Sequence, residues 1–154
     1  MMQQLLEMVK AAHASGDYQP LVDLIPYARM LGVECACYGE EVIFKLPANP
    51  DTIGNPTIPA IHGGVIAAFM ELTAQFQLTL QMPQPGLAKV IDFSLDYMRA
   101  GLHRDTFAIC TISRQGRRIG NCSVLAWQER KSRPIAQARA HFLLDASPIQ
   151  ESAT

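Results

Sequence analysis

The 154-residue chain has no surplus of either charge: 13 lysines and arginines stand against 14 aspartates and glutamates, a net charge of −1. A nucleic-acid binder or a polybasic membrane anchor needs a dense positive field, and that field is missing, so a small-molecule or protein partner is expected and nucleic acid is not. Cysteine is scarce too. Cys35, Cys37, Cys110 and Cys122 show no Cys-x-x-Cys or His-rich spacing, which argues against a bound metal. Cys35 and Cys37 would share one face of a strand, but small apolar core filling explains them better, and all four are read as reduced and structural. Long apolar runs are absent as well. Glu7 interrupts the N-terminal stretch, and the longest weakly charged run contains Glu71 and several glutamines, so neither a signal peptide nor a membrane span is expected. A soluble cytoplasmic protein of one domain over residues 1–154 follows. Trp127 is the single tryptophan and is assigned to the core.

What is present is a change of hydrophobic period along the chain. Leu5, Leu6, Val9 and Ala12 recur at helical spacing and Gly16 ends the run; Leu21 to Ile25 reads as a further helical turn stopped by Pro26. Residues 1–30 therefore form an N-terminal helical extension. From Val33 the period becomes two, with Val33, Cys35 and Cys37 followed by Val42, Phe44 and Leu46 across Tyr38-Gly39-Glu40-Glu41, which predicts a hairpin. Pro47 to Pro59 is rich in proline, asparagine and glycine and reads as a long loop. Val65 to Leu80 then supplies about four helical turns, introduced by Gly63-Gly64, ended by Pro83 and apolar on most faces, hence buried. Beyond Gly86 the period of two returns in four strands, around Ile91–Tyr97, Phe107–Ile112, Cys122–Ala126 and Ile135–Leu143. The fold class is α+β, an antiparallel sheet packed on one long central helix. One helix covers one face; the other meets solvent or another copy, and Asp92, Ser94 and Asp96 suit a half-solvated face.

Between Asp51 and Lys89 the only formally charged residue is Glu71, in the middle of the apolar helix. An ion buried without a partner costs several kcal/mol or changes its protonation, so its presence asks for a reason. Chemistry is one reason; the other is that Glu71 faces solvent or closes a buried hydrogen-bond network. His62-Gly63-Gly64 stands at the mouth of the same helix, where unpaired N–H groups and the positive end of the dipole favour a developing anion. The alternative there is a tight turn whose glycines allow an unusual backbone.

Together these features carry a resemblance. The stretch from Ile61 through His62-Gly63-Gly64 to Glu71, followed by Val90-Ile91-Asp92-Phe93-Ser94-Leu95-Asp96-Tyr97-Met98-Arg99, resembles the phenylacetic-acid-degradation-type branch of the hotdog-fold thioesterase superfamily, over about residues 31–144. The resemblance implies a hotdog fold and an acyl-CoA or aryl-CoA thioesterase with no cofactor, coenzyme A being part of the substrate. It also implies that Glu71, nine residues after His62, is general base or nucleophile. The Gly63 N–H is then the oxyanion donor, with His62 and Gly64 lining the thioester site. Relatives commonly carry Asn or Gln six residues before the His; Pro56 stands there, and Asn55 is the nearest amide. Where relatives often have Ser or Thr four residues after the carboxylate, this chain has Gln75.

Helix geometry adds an independent inference. At a rise of ~1.5 Å per residue, Gly63 and Glu71 lie about 12 Å apart along the axis, too far to grip one thioester carbon together. Two copies with antiparallel central helices would bring Glu71 of one to His62 and Gly63 of the other, so a homodimer, or a dimer of dimers, is expected. Glu71 would activate water or attack the thioester itself. Nine of the 13 basic residues lie between Arg99 and Arg139, against Asp105 and Glu129. Arg99, Arg117 and Arg118, at strand ends and the turn near Gly116, are the candidates for the CoA phosphates, although ordinary solvated turns explain any single arginine. His13, His103 and His141 are read as plain surface or strand residues. Two other readings stand: a hotdog dehydratase or hydratase, whose His and carboxylate would converge on one carbon, and a non-catalytic acyl-CoA-binding hotdog protein.

Overall fold

The computed structural model of the chain describes residues 2–83 and 86–144. The expectation of one domain over 1–154 includes residues 145–154, which lie outside the described residues. Helix α1, Met2–Ser15, ends where Gly16 adopts φ 72° and its N–H reaches the Ala12 carbonyl at 2.8 Å. Helix α2, Gln19–Val22, is one turn, and α3, Pro26–Leu31, follows. Here the structure corrects the sequence reading: Pro26 opens a helix rather than stopping one. At the first helical position its missing N–H costs nothing and its fixed φ suits the turn.

Strands β1, Glu34–Tyr38, and β2, Glu41–Leu46, form the expected hairpin, turning at Gly39 with φ 66°. The segment expected as a plain loop is more ordered. It holds a 3-10 turn at Pro50–Thr52, capped by Asn49 Oδ1 on the Asp51 N–H, then the small pair β3, Ile53–Asn55, and β4, Ala60–Ile61. Helix α4, Gly63–Gln81, is the central element, with both glycines inside its first turn. Strands β5, Lys89–Tyr97, β6, Thr106–Gln115, β7, Ile119–Trp127, and β8, Ala136–Leu143, complete one six-stranded sheet in the order β1-β2-β6-β7-β8-β5, antiparallel at every neighbouring pair.

Packing follows from which side chains are small. On β8, Ala136, Ala138, Ala140 and Phe142 are buried while Gln137, Arg139 and His141 are exposed, the alternation of a sheet covered on one side. The run of alanines, continued by Ala108 and Ala126 on β6 and β7, lets α4 lie close, and α4 fills the space with Phe69, Met70, Phe76 and Leu78. Gly120 on β7 marks the tightest point: a Cβ there would stand 2.8 Å from Leu78 Cδ2. This is the hotdog arrangement, one long helix held in an antiparallel sheet. Among the described residues no helix is long and apolar enough to cross a membrane.

The far end of α4 is held by side chains. His13 Nε2 meets the Leu80 carbonyl at 2.9 Å and Gln115 Nε2 donates to the Gln81 carbonyl at 3.1 Å, satisfying oxygens the last turn leaves unpaired. His13 is thus a cap on another helix, not a bland surface residue. The cysteines are all free, but only Cys110 and Cys122 fit the core-filling expectation fully; Cys35 is half-buried and Cys37 exposed. Cys37 sits at the end of the outermost strand, where nothing covers it.

Candidate active site

His62 is the residue that starts α4. Its Nδ1 accepts the Gly64 N–H at 2.9 Å, and its own N–H donates to the Thr52 carbonyl at 2.8 Å. The imidazole fits because its neighbours have no side chains. A Cβ on Gly54 would lie 2.7 Å from His62 Cα, and one on Gly64 3.0 Å from His62 Nδ1. A Cβ on Gly63 would meet the Tyr97 hydroxyl at 3.1 Å. Neither Gly63 nor Gly64 has positive φ, so these glycines are needed for room and not for an unusual backbone. The His62 carbonyl accepts from Val65 and Ile66 at 3.0 and 3.3 Å, while the Gly63 N–H donates to nothing among the described residues. It projects from the helix start, where a developing negative charge is stabilised.

Glu71 lies two turns further on. The expectation that α4, apolar on most faces, is buried holds for ten of its residues, from Ile66 to Leu80, while the face carrying Gly64, Ala68, Glu71 and Gln75 is exposed or half-buried. These recur every three or four residues and stay exposed or half-buried because the sheet closes on the other side of the helix. Glu71 is half-buried, and its carboxylate has no hydrogen bond or ion pair among the described residues. The same flank of the molecule carries β5, which among the described residues pairs on one side only, with β8. A bulge between Val90 and Asp92 inserts Ile91, after which Phe93, Leu95 and Tyr97 face the helix side opposite Ala140, Ala138 and Ala136. Ile91 is 57% exposed and Tyr97 55%.

The other candidates are placed unevenly. Asn55 follows Gly54 and so stands near His62, with its Oδ1 turned back onto the Thr57 N–H at 3.0 Å. Gln75 is already engaged, its Nε2 donating to the Ala88 carbonyl at 2.8 Å. Arg99 donates through Nε to the Pro134 carbonyl at 2.9 Å and lines a cavity of about 270 Å³ with Arg104, Arg133 and Glu129. Glu129 takes up Arg104 at 2.9 Å and Arg133 at 3.8 Å. Arg117 and Arg118 sit in the β6–β7 turn, beside the end of α4 that Gln115 caps. Arg99 lies two residues past Tyr97 and hence at the start of α4, so one chain does not bring the three arginines into a single ring. The reason is topological: β5 and β6 leave the core at opposite ends of the helix. Among the described residues no three His, Cys, Asp or Glu side chains group to hold a metal.

Sequence reasoning missed Tyr97. Its hydroxyl donates to the Gly63 carbonyl at 2.6 Å, tying the end of β5 to the start of α4. The available signal was its phase, since Tyr97 continues the inward series of Phe93 and Leu95.

Among the described residues, then, one apolar helix carries a carboxylate and a backbone donor without partners, beside a sheet edge that pairs on one side. Residues 59–135 match the family model of the thioesterase superfamily, and the chain belongs to that family. It is similar to a protein of Chromobacterium violaceum at 36% identity, covering 94% of this chain and 98% of that one, with a TM-score of 0.74. A Bacillus halodurans protein solved with CoA shares the fold at 17% identity, TM-score 0.73, over 95% of this chain and 94% of that one. The Escherichia coli PaaI protein of the phenylacetic acid degradation operon does so at 14% identity, TM-score 0.70, over 84% and 91%. Among curated proteins no sequence matches.

Proposed function

We propose that the chain is an acyl-CoA thioesterase that hydrolyses a small or medium acyl- or aryl-CoA, with Glu71 of one protomer working against Gly63 and His62 of its partner. The observation that carries this reading is the position of Glu71: without a partner among the described residues, half-buried on the face of α4 away from the sheet, eight residues from the Gly63 N–H and so ~12 Å from it along the axis. A two-fold axis beside β5 supplies the missing half. Pairing the two open β5 edges antiparallel extends the sheet and sets the two α4 helices antiparallel, so each carboxylate approaches the other helix start. A dimer of dimers is compatible with the same site.

In the reaction, Glu71 takes a proton from water as the oxygen adds to the thioester carbon. The Gly63 N–H stabilises the oxyanion, and the tetrahedral intermediate collapses to the acid and CoA thiolate, which regains the proton. In the alternative route Glu71 attacks the carbon itself and expels the CoA thiolate, giving an acyl-glutamyl anhydride that water then opens to the free acid and the restored carboxylate. The two-fold also bears on the arginines. Arg99 of one protomer and Arg117 and Arg118 of the other fall at the same end of the pair, where CoA phosphates would lie. The CoA of the Bacillus halodurans structure supports this carrier, and four free cysteines suit a cytoplasmic enzyme.

The test is thiol release from a panel of acyl-CoAs by wild type and Glu71→Gln. Wild type should hydrolyse at least one ester and the variant should be slower on the order of 10³-fold, within the range for loss of a general base. Binding of acyl-CoA without hydrolysis by the wild type would sink the enzymatic reading in favour of a binding protein.

A further inference from the structure

Three hydrogen bonding groups at the start of α4 form one line. The Tyr97 hydroxyl donates to the Gly63 carbonyl at 2.6 Å, and the other end of that same peptide unit, the Gly64 N–H, donates to His62 Nδ1 at 2.9 Å. Both directions are fixed by chemistry, because a carbonyl only accepts and a backbone N–H only donates. His62 Nδ1 must therefore be the bare nitrogen of a neutral ring, and the ring proton must sit on Nε2. That Nε2–H has no acceptor among the described residues, and the ring is exposed. Bonds in such a line polarise one another, so the Tyr97 hydroxyl strengthens the grip of Gly64 on Nδ1.

We propose that Tyr97 is a positioning residue: through the Gly63–Gly64 peptide it locks His62 as the Nε2–H tautomer and so makes it a hydrogen-bond donor toward substrate rather than a base. The assignment gives His62 a definite task beside the Gly63 N–H, that of a second donor to the thioester oxygen, and it rules His62 out as the group that activates water. It rests on the thioesterase reading only for its kinetic consequence; the tautomer is a property of the free protein. Space supports the arrangement independently. Gly63 leaves room for the tyrosine ring, and Gly54 and Gly64 leave room for the imidazole, so each of the three glycines serves this one line.

The experiment is nitrogen NMR of the His62 ring in substrate-free protein, wild type and Tyr97→Phe, at a pH where the ring is neutral, alongside acyl-CoA hydrolysis. The phenylalanine keeps the ring against Gly63 and removes only the donor. Wild type should show Nδ1 with the shift of an unprotonated nitrogen and Nε2 with that of a protonated one; in the variant, where the Gly64 bond to Nδ1 is weakened but not removed, both shifts should move toward each other as a minor Nδ1–H population appears. The kcat of Tyr97→Phe should fall about fivefold to tenfold, the worth of one ordinary hydrogen bond, with KM changed less than twofold. A wild-type ring protonated on Nδ1, or a variant whose ring signals match the wild type, would overturn the proposal whether or not the protein hydrolyses any ester. Should Tyr97→Phe prove unstable, Gly54→Ala gives a second reading: by pushing on His62 Cα it should disturb the same ring signals while Tyr97 stays intact, and unchanged signals there would count against the line. Hydrolysis that is absent in wild type with the tautomer as stated would remove the thioesterase reading alone.

Discussion

The two edges of the sheet differ sharply. Strand β1 is five residues long, ends in a turn, and is dressed with charge: Glu34 pairs with Lys45 at 2.7 Å, and Lys131 reaches Glu41 at 3.4 Å next to it. Strand β5 is nine residues long; its charges, Lys89, Asp92 and Asp96, are exposed, while its helix-facing residues Phe93, Leu95 and Tyr97 carry none and Val90 and Ile91 are exposed. Short, charged edges discourage pairing with another chain, and long apolar ones invite it. The open edge is also the one that flanks the uncovered face of α4. The proposed pairing uses β5 as the covered edge and leaves β1 free.

Equal substitutions on the two edges give the most direct way to break the comparison. If the proposed pairing through β5 holds, Ile91→Lys should give a monomer in sedimentation where the wild type gives a dimer, and lower hydrolysis on the order of 10²–10³-fold, what the loss of an oxyanion donor costs. Tyr38→Lys, at a site 64% exposed on β1 and opposite Glu41, should leave both assembly and rate as they were. Equal behaviour of the two variants would show that the edges are not specialised. Chemical labelling sharpens the picture of β1. Burial, together with the Cys37 thiol and Asp17, pushes the Cys35 thiol up to about 12, so at pH 8 an alkylating reagent should modify exposed Cys37 and spare Cys35. Cys110, whose thiol is likewise pushed up by its hydrogen bond to Cys122 and by burial, should also be spared in mass spectra of the native protein.

The smallest effect concerns the charge that dresses β1. The Glu34 carboxylate, by hydrogen bonding to the ammonium, raises the pKa of Lys45 above its ordinary value. A raised lysine contributes stability that is complete below the unfolded pKa and vanishes as pH climbs through the folded one. Glu34→Gln should therefore cost no more than about 1 kcal/mol at neutral pH, the range for an exposed pair, and nothing once the solution passes well above the lysine range. Denaturant titrations at pH 7 and at high alkaline pH would show it; a difference that persists in alkali would contradict the pairing.

Legibility in the sequence tracked how local the cause was. The β1–β2 hairpin, α4 and the strands after Gly86 rest on periods of two and 3.6, which a reader of the chain can count. Pro26 was misread because a proline that stops one helix and a proline that starts another look alike until the next turn is seen. The β3–β4 pair is too short for periodicity to register. Among the candidate site residues, Glu71 is conspicuous as the lone charge between Asp51 and Lys89, and the His62-Gly63-Gly64 triplet gains weight only beside it. Gln75 did not reveal that it would be spent on Ala88, thirteen residues away, and Tyr97 did not reveal that it would reach Gly63, thirty-four residues back. Nor did the chain tell that Arg99 and the Arg117–Arg118 turn lie at opposite ends of the helix. Each of these depends on how distant segments meet, and no local pattern encodes that.

Two hydrogen bonds at Ala88 tie the central helix to the start of β5. Glu71, Gln75 and Thr79 follow one another at four-residue steps along α4, and the last two hold both main-chain groups of Ala88: Gln75 Nε2 on its carbonyl at 2.8 Å and Thr79 Oγ1 on its N–H at 3.3 Å. Ala88 is the residue from which β5 departs. The start of the strand edge is therefore held to the row of side chains that carries the carboxylate. A slip of one residue in how the edge engages a neighbour would be passed along that row toward Glu71, so contact geometry and carboxylate placement are mechanically coupled.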